Sequence, residues 1–296
     1  MHEERRSVSE AITSRRATRA FLPDPVPRAT LKRILEIAAR TPSASNIQPW
    51  HVDVLPGATR DRLVSAITTR FDAGDFGEEE YQYYPDPWFE PYLSLRRETG
   101  WGLYGALGIA RHEKERMRAQ HRRNFLFFDA PVGLIFSIDR ELPVGSWLDF
   151  GMFLQSLMIA ARAFDLDTCP QQAFAAYHEV IREVLGLSDA RKVICGMALG
   201  KADVSNPANT FRTGRISPEQ FANFHDCTTR RRLKTGSLEP FILIFTDLRC
   251  AAHRHVVVCR KLDGLPQDGM GFAIRARDIF EQPSGPELRV GLELFA

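Results

Sequence analysis

Two segments decide the reading of this chain: Ser14-Arg15-Arg16-Ala17-Thr18-Arg19-Ala20-Phe21, and then Pro42-Ser43-Ala44-Ser45-Asn46-Ile47-Gln48-Pro49-Trp50. The first places three arginines within five residues, enough charge and forked donors for a phosphate. The second sets small hydroxyl residues and two amides between prolines, which suits a backbone that comes close to a flat polar ligand. Between them Leu31, Ile34, Leu35 and Ala38 recur at i, i+3, i+4 and i+7, the stripe of an amphipathic helix over 29–40 with Thr30 as its N-cap. Residues 7–20 also read as helix. Behind the second segment, Trp50, Val52 and Val54 alternate with His51 and Asp53, the period of a half-buried strand.

Further along, residues 58–70 return to helix. Residues 72–91 are acidic, aromatic and proline-bearing, and read as a long ordered loop. Helices are expected over 92–106 and 109–124, followed by a buried strand from Val132 to Ile138. A strongly apolar helix over 148–165 carries Phe150, Phe153, Leu154, Leu157, Met158 and Ala161. Another helix covers 176–186, and Lys192 to Gly200 makes a strand interrupted by Gly196. A turn-rich stretch from Asp203 to Arg215 leads to a short helix near 218–224. No period of 20–50 residues repeats, which excludes solenoids and propellers.

The 296 residues can bury a sizeable core, and 44% hydrophobic with 26% charged residues is ordinary for a globular protein. The formal net charge is +2, with residues 1–225 balanced, so no basic footprint for nucleic acid is expected. The uninterrupted apolar runs, such as Val132 to Phe136 and Phe241 to Phe245, are far shorter than the ~20 residues of a membrane helix. The charged start, Met1-His2-Glu3-Glu4-Arg5-Arg6, has no apolar signal core behind it, and a cytoplasmic location without a membrane partner is expected. Five cysteines with no Cys-x-x-Cys pair suggest neither a disulfide framework nor a metal site, and Cys169 and Cys195 are expected to be buried and inert.

The opening segments resemble the nitroreductase family of FMN enzymes, with its Arg-Arg-Ser-x-Arg and Pro-Ser-x-x-Asn-x-Gln-Pro-Trp patterns. The resemblance covers residues 8–225. It implies an α+β fold in which helices flank a mostly antiparallel central sheet, and a homodimer holding FMN at the subunit interface. By resemblance, the FMN phosphate falls to Arg15, Arg19, Arg212 and Arg215, with Arg16 contributing through its backbone. Ala17 stands in the same cofactor-binding stretch, where the family commonly has Ser. Pro42, Ser43 and Ala44 look like the segment that reaches the flavin of the partner subunit, with Asn46 and Gln48 holding that loop.

Asp167-Thr168-Cys169-Pro170-Gln171-Gln172-Ala173 resembles the family stretch whose backbone lies along the flavin ring, which assigns Pro170, Gln171 and Gln172 to the region of the reactive N5. Asn124 is either a ring or ribityl contact or a helix-end cap. Gly196 and Gly200 resemble the family's late strand, where glycine is structural. Gly100-Trp101-Gly102-Leu103-Tyr104-Gly105 and Gln120-His121-Arg122-Arg123-Asn124-Phe125 resemble the nitrobenzoate- or nitrophenol-reductase-like branch.

The implied activity is ping-pong oxidoreduction. NAD(P)H, as co-substrate, delivers hydride to the flavin, and a small electron-poor acceptor such as a nitroaromatic then takes two electrons. No protein side chain is expected to act as the catalytic group, because the flavin carries the chemistry. The eight histidines form no triad with family-like context, and no Gly-x-Gly-x-x-Gly follows a strand. Tyr81, Tyr83, Trp88, Trp101 and Tyr104, with Arg122, Arg123 and Phe125, either wall the acceptor site or pack between helices. The alternatives are another FMN reaction on this fold (enone reduction, dehalogenation or dehydrogenation), or a non-enzymatic flavin-binding protein whose Arg230 to Lys234 stretch meets an acidic partner. Residues 1–225 are expected to form the FMN-binding domain. Residues 226–296, with Cys227, Cys250, Cys259 and β-like runs at 241–245 and 255–259, read either as a lineage-specific extension or as sequence not selected as part of the fold.

Overall fold

The described residues open with helix α1 (Val8–Ser14), closed at its N-terminus by a capping box in which Ser7 and Glu10 satisfy each other's backbone N–H groups. The computed structural model describes residues 7–225. The helix expected over 7–20 stops at Ser14, where Arg15 turns extended. From there the backbone is recruited by other strands. Thr18 N–H donates to the Thr168 carbonyl at 3.1 Å, and Leu22 N–H to that of Lys201 at 2.8 Å. Two interstrand pairings, Ala17 with Thr168 and Phe21 with Ala202, take the donors a helix would have used internally.

Helix α2 (Arg28–Ala38) begins at Pro27, not at Thr30, and buries Leu31, Ile34 and Ala38. Strand β1 (His51–Pro56) and helix α3 (Gly57–Asp72) follow, the latter burying Leu63, Ile67 and Phe71 on one stripe. An irregular stretch then leads to α4 (Tyr92–Ala106) and α5 (Lys114–Arg122). The expected second helix of this pair is shorter at both ends. Past Arg122 the chain tightens into a 3₁₀ segment, Arg123–Asp129, where Phe127 and Phe128 adopt φ of 50° and 51° and bury their rings.

Strands β2 (Val132–Asp139), β3 (Asp167–Gln171) and β4 (Arg191–Gly200) complete an antiparallel sheet in the order β1-β2-β4-β3. The expected mostly antiparallel sheet flanked by helices is therefore present. Helix α6 (Val144–Ala163) packs with α2 on one face, over Leu134, Phe136 and Ile138. Helices α3 and α7 (His178–Leu185), with the segments Arg123–Asp129 and Gln172–Tyr177, cover the other face over Ile135 and Val193. Each fully buried Leu, Ile or Phe contributes about 1.5–3 kcal/mol to this sandwich. Helix α8 (Pro218–Phe221) is a single turn, capped by Ser217 and Gln220.

Gly196 does not interrupt β4. A Cβ there would sit 2.4 Å from the Phe174 ring, and one at Gly133 would sit 2.6 Å from the Phe127 ring. Phe127 and Phe174 stack with centroids 4.4 Å apart, so the two bare backbone positions make room for a pair of aromatic rings. Helix α6, at 20 residues, is among the described residues the one helix long and apolar enough to cross a membrane, but it seats Phe150, Phe153, Leu157 and Ala161 in the core and buries Asp149 and Arg162. The expected boundary near residue 225 lies at the edge of the described residues. Cys227, Cys250, Cys259, the runs at 241–245 and 255–259, and Arg230 to Lys234 lie outside them.

Candidate functional site

The extended segment after α1 is tied at both ends. Arg162, near the C-terminus of α6, pairs with Asp167 at 2.7 Å and donates to Ser14 Oγ at 3.2 Å, which fixes where the helix ends and Arg15 begins. At the other end Arg19 N–H donates to Asn209 Oδ1 at 2.7 Å. Asn209 Nδ2 donates to the carbonyls of Ala20 and Asp203, both at 2.8 Å, and the Asn209 carbonyl accepts from Arg212 Nη1 at 2.7 Å. One buried residue thus joins the early arginine segment, through its side-chain amide, to the late arginine loop, through its main-chain carbonyl.

Arg15 and Arg215 meet electrostatically. Half-burial lowers the Arg15 guanidinium below its ordinary value, and the charge of Arg215 lowers it further. Arg15 and Arg19 both act on the Cys169 thiol. Burial pushes that thiol up to about 11 against their pull, so it stays protonated at neutral pH. Cys195 is buried likewise and pushed up to about 12, as expected for inert thiols. Among the described residues, Arg15, Arg16, Arg19, Arg212 and Arg215 pair with no carboxylate. Arg215 Nη1 spends its bonds on Thr213 and the Gly214 carbonyl, and Arg212 also reaches the Phe211 carbonyl. Arg16 Nε, Thr18 Oγ1 and Thr168 Oγ1 are buried without a hydrogen-bond partner. Ala17 faces Thr168 through its backbone pairing.

Strand β3 carries the second group. Pro170 is exposed, whereas Gln171 is buried. Gln171 Nε2 donates to the Asn124 carbonyl at 2.6 Å while its Oε1 is buried without a partner. Gln172 is held from outside, its Nε2 donating to Glu79 Oε1 at 2.9 Å. Asn124 uses its own amide as a helix-end cap, donating to the His121 carbonyl at 2.8 Å.

The loop from Pro42 to Gln48 stands elsewhere, on α6. Ala44 N–H donates to Asp149 Oδ2 at 3.1 Å, and Trp50 stacks on Phe153 at 4.7 Å. Ser45, Asn46 and Gln48 take φ of 50°, 57° and 48°, so three non-glycine residues hold a left-handed turn. Gln48 braces it, its N–H donating to Ser43 Oγ at 3.0 Å and its Nε2 to the Asn46 carbonyl at 3.2 Å. Apart from Ser43, which is half-buried, the residues from Pro42 to Gln48 are exposed.

Of the aromatic candidates, Tyr81 is packed. Its hydroxyl donates to the Ile194 carbonyl, its ring meets Trp147 at 4.7 Å, and burial pushes its hydroxyl far up. Arg122 and Arg123 are committed to Asp72 and Asp129 at 2.8 and 2.9 Å, and Phe125 is core. Trp88 and Trp101 lie under Arg96 and Arg111, each 4.6 Å from the ring centroid. Gly102 lies against Phe211, where a Cβ would come within 2.2 Å of the ring, so α4 rests on the loop that carries Arg212 and Arg215. Asn209 and Arg162 were not singled out from sequence. An Asn in a turn-rich stretch reads as a turn residue, and an Arg inside an apolar helix gives no sign of the strand carboxylate it meets.

The model of the nitroreductase family matches residues 12–201. The chain is 41% identical over 218 residues to a chloronitrobenzene nitroreductase of Comamonas testosteroni, covering 73% of this chain and 96% of that one. It is 37% identical over 216 residues to a 4-nitrobenzoate reductase of Nocardioides sp., covering 72% and 87%. Among solved structures, an FMN- and NADPH-dependent nitroreductase NfnB from Sphigopyxis sp. strain HMH superposes with a TM-score of 0.73 at 37% identity, over 75% of this chain and 100% of that one. The FMN-dependent NfnB of Mycobacterium smegmatis, solved with NADPH, gives 0.71 at 32% identity, over 74% and 97%.

Proposed function

The chain belongs to the nitroreductase family, and from that premise we propose that it is an FMN-dependent oxidoreductase that passes hydride from NAD(P)H to a nitroaromatic acceptor. FMN, when bound, supplies a centre that accepts hydride from the nicotinamide and returns two electrons to the nitro group. The observation that carries the reading is the junction of Arg15 and Arg19 with the Arg212–Arg215 loop. Like charges brought together without a carboxylate suit a dianionic phosphate. The residues present fit the cofactor: guanidiniums at one end of β3, the buried and unpartnered Gln171 Oε1 at the other, and an open β3 edge beyond the Ala17 pairing.

In this reading Arg15, Arg19, Arg212 and Arg215 hold the phosphate, with Arg16 and Ala17 contributing backbone. Pro170, Gln171 and Gln172 present backbone along the ring, and Asn124 acts by fixing Gln171. Pro42, Ser43, Ala44 and Asn46 serve the flavin of a second subunit. Support for the homodimer comes from α6, which leaves Val144 and Leu148 80% and 73% exposed, with Met152 continuing that face. Burying such a ridge against a second copy stabilises each large apolar side chain by about 1.5–3 kcal/mol. Asp149 anchors Ala44 beside this ridge, so the loop stands where a partner would meet it. A cytoplasmic setting, in which thiols such as Cys169 and Cys195 remain reduced, belongs to the same proposal.

Steady-state assays test the reaction. NADPH or NADH oxidation should require an added acceptor, and a nitroaromatic should outpace enones and halogenated aromatics. Preferred turnover of an enone would replace nitro reduction with another reaction of this fold.

A further inference from the structure

We propose that Asn209 is the positioning residue that makes one anion site out of two distant arginine segments. The proposal rests on the reading of Arg15, Arg19, Arg212 and Arg215 as the phosphate holders. Asn209 is 4% exposed and uses every group it has. Its Oδ1 takes the Arg19 N–H at 2.7 Å, its two amide hydrogens go to the Ala20 and Asp203 carbonyls at 2.8 Å, and its carbonyl takes Arg212 Nη1 at 2.7 Å. The residue sits in a short 3₁₀ turn, Pro207–Asn209, begun by Asn206, whose side chain accepts from Ala208 N–H. Its own position is therefore set before it bridges anything.

The Ala20 and Arg19 contacts orient the extended segment from one side, while the Ala17 pairing with β3 orients it from the other. Without the amide, Arg19 N–H loses its partner in a part-buried place and the Ala20 carbonyl keeps only Asp203 N–H at 3.0 Å, so the turn whose main-chain carbonyl holds Arg212 is no longer fastened to the Arg19 backbone. Asn209 is not expected to touch the flavin. Its effect should appear only through the arginines, and therefore only on ligands that carry a phosphate.

The test strips the full-length protein of flavin and titrates it with FMN and with riboflavin, which lacks the phosphate. Asn209→Ala, which keeps its main-chain carbonyl on Arg212 but leaves Arg19 N–H unpaired, should weaken FMN roughly tenfold, the cost of a buried donor left without a partner, and riboflavin less than about threefold. Arg215→Ala should show the same selectivity, and a double variant of Asn209→Ala with Arg212→Ala should lose clearly less than the two single losses combined, because Asn209 acts in part through the Arg212 it holds. Asn209→Ser adds no charge and keeps one hydroxyl, too short to reach all three partners of the amide. It should also favour riboflavin over FMN relative to the parent, and it decides the matter alone if the alanine variant does not fold.

Equal loss of FMN and riboflavin in the Asn209 variants would make the residue merely structural and overturn the proposal. Unchanged FMN affinity, or full additivity with Arg212→Ala, would overturn it as well. If Arg215→Ala itself leaves the FMN-to-riboflavin ratio unchanged, the phosphate reading fails first and Asn209 falls with it. If only the Asn209 variants leave it unchanged, the phosphate reading stands and this inference alone is wrong.

Discussion

Arg15 and Arg215 feel each other's charge across nearly the whole described chain, and half-burial lowers the Arg15 guanidinium before Arg215 lowers it further. Two cations brought together in the absence of a nearby carboxylate disfavour the flavin-free state and favour an anion between them. Arg215→Ala should therefore leave the melting temperature of the flavin-free protein unchanged or higher, while the FMN-bound protein loses stability. The lost charge-assisted contact corresponds to about 1.5–3 kcal/mol, or tenfold or more in affinity. A variant that destabilises both forms equally would remove the phosphate from this pair.

The loop held by Asp149 beside the exposed ridge of α6 should serve the other subunit. A variant lacking Arg19 and one with an altered Ser43-Ala44 loop should each be inactive. Mixed dimers of the two should regain one intact site per dimer. Hybrids that remain inactive although both parents are folded dimers would place the loop in its own subunit's site.

Gly196→Ala should destabilise the fold by about 1–3 kcal/mol, because the new methyl meets the Phe174 ring in a packed core. Phe174 follows closely on Gln171 and Gln172, so bound flavin should also report the change through a shifted absorption envelope. A melting temperature equal to the parent's would mean that the ring moves aside freely.

Glu80 fastens the stretch before Tyr81 to the body. Burial pushes its carboxyl up, but hydrogen bonds from Arg140 and Arg182 and the charges of His178 and Arg140 outweigh burial and leave it below the ordinary glutamate value. A carboxyl with a lowered folded value contributes stability above its unfolded value and loses it as pH falls through the folded one. Glu80→Gln should therefore be less stable than the parent at neutral pH, with the difference shrinking as pH falls through the glutamate range and below. Melting curves across that range measure it, and a pH-independent difference would mean that the side chain acts by shape.

The sheet and its main helices were legible because each carries its own period. Leu31, Ile34 and Ala38 form a helical stripe, and Val132 to Ile138 is apolar but for Ser137 because β2 is covered on both faces. The stretch from Arg15 to Ala20 was misread because its composition favours helix, while its conformation is set by carbonyls of Thr168 and Lys201 that lie far away in sequence. Strand β3 carries Asp167 and Pro170, residues depleted in strands, and holds its form by pairing with β4. At the site, the arginines were legible as a motif. Their convergence was not, because it depends on Asn209 and Arg162, whose partners only the fold supplies. Arg122 and Arg123, which from sequence either wall the acceptor site or pack between helices, are tied to Asp72 and Asp129, carboxylates that only the fold brings beside them.

The absorption spectrum of the purified protein, followed by anaerobic titration with NAD(P)H, tests the central claim most directly. A yellow protein is expected whose flavin runs as FMN after release by heat. It should bleach with one equivalent of NAD(P)H per flavin and recover its colour when a nitroaromatic is added. A protein that stays colourless after incubation with FMN, or that releases FAD, would contradict the assignment of the two arginine segments to a single terminal phosphate.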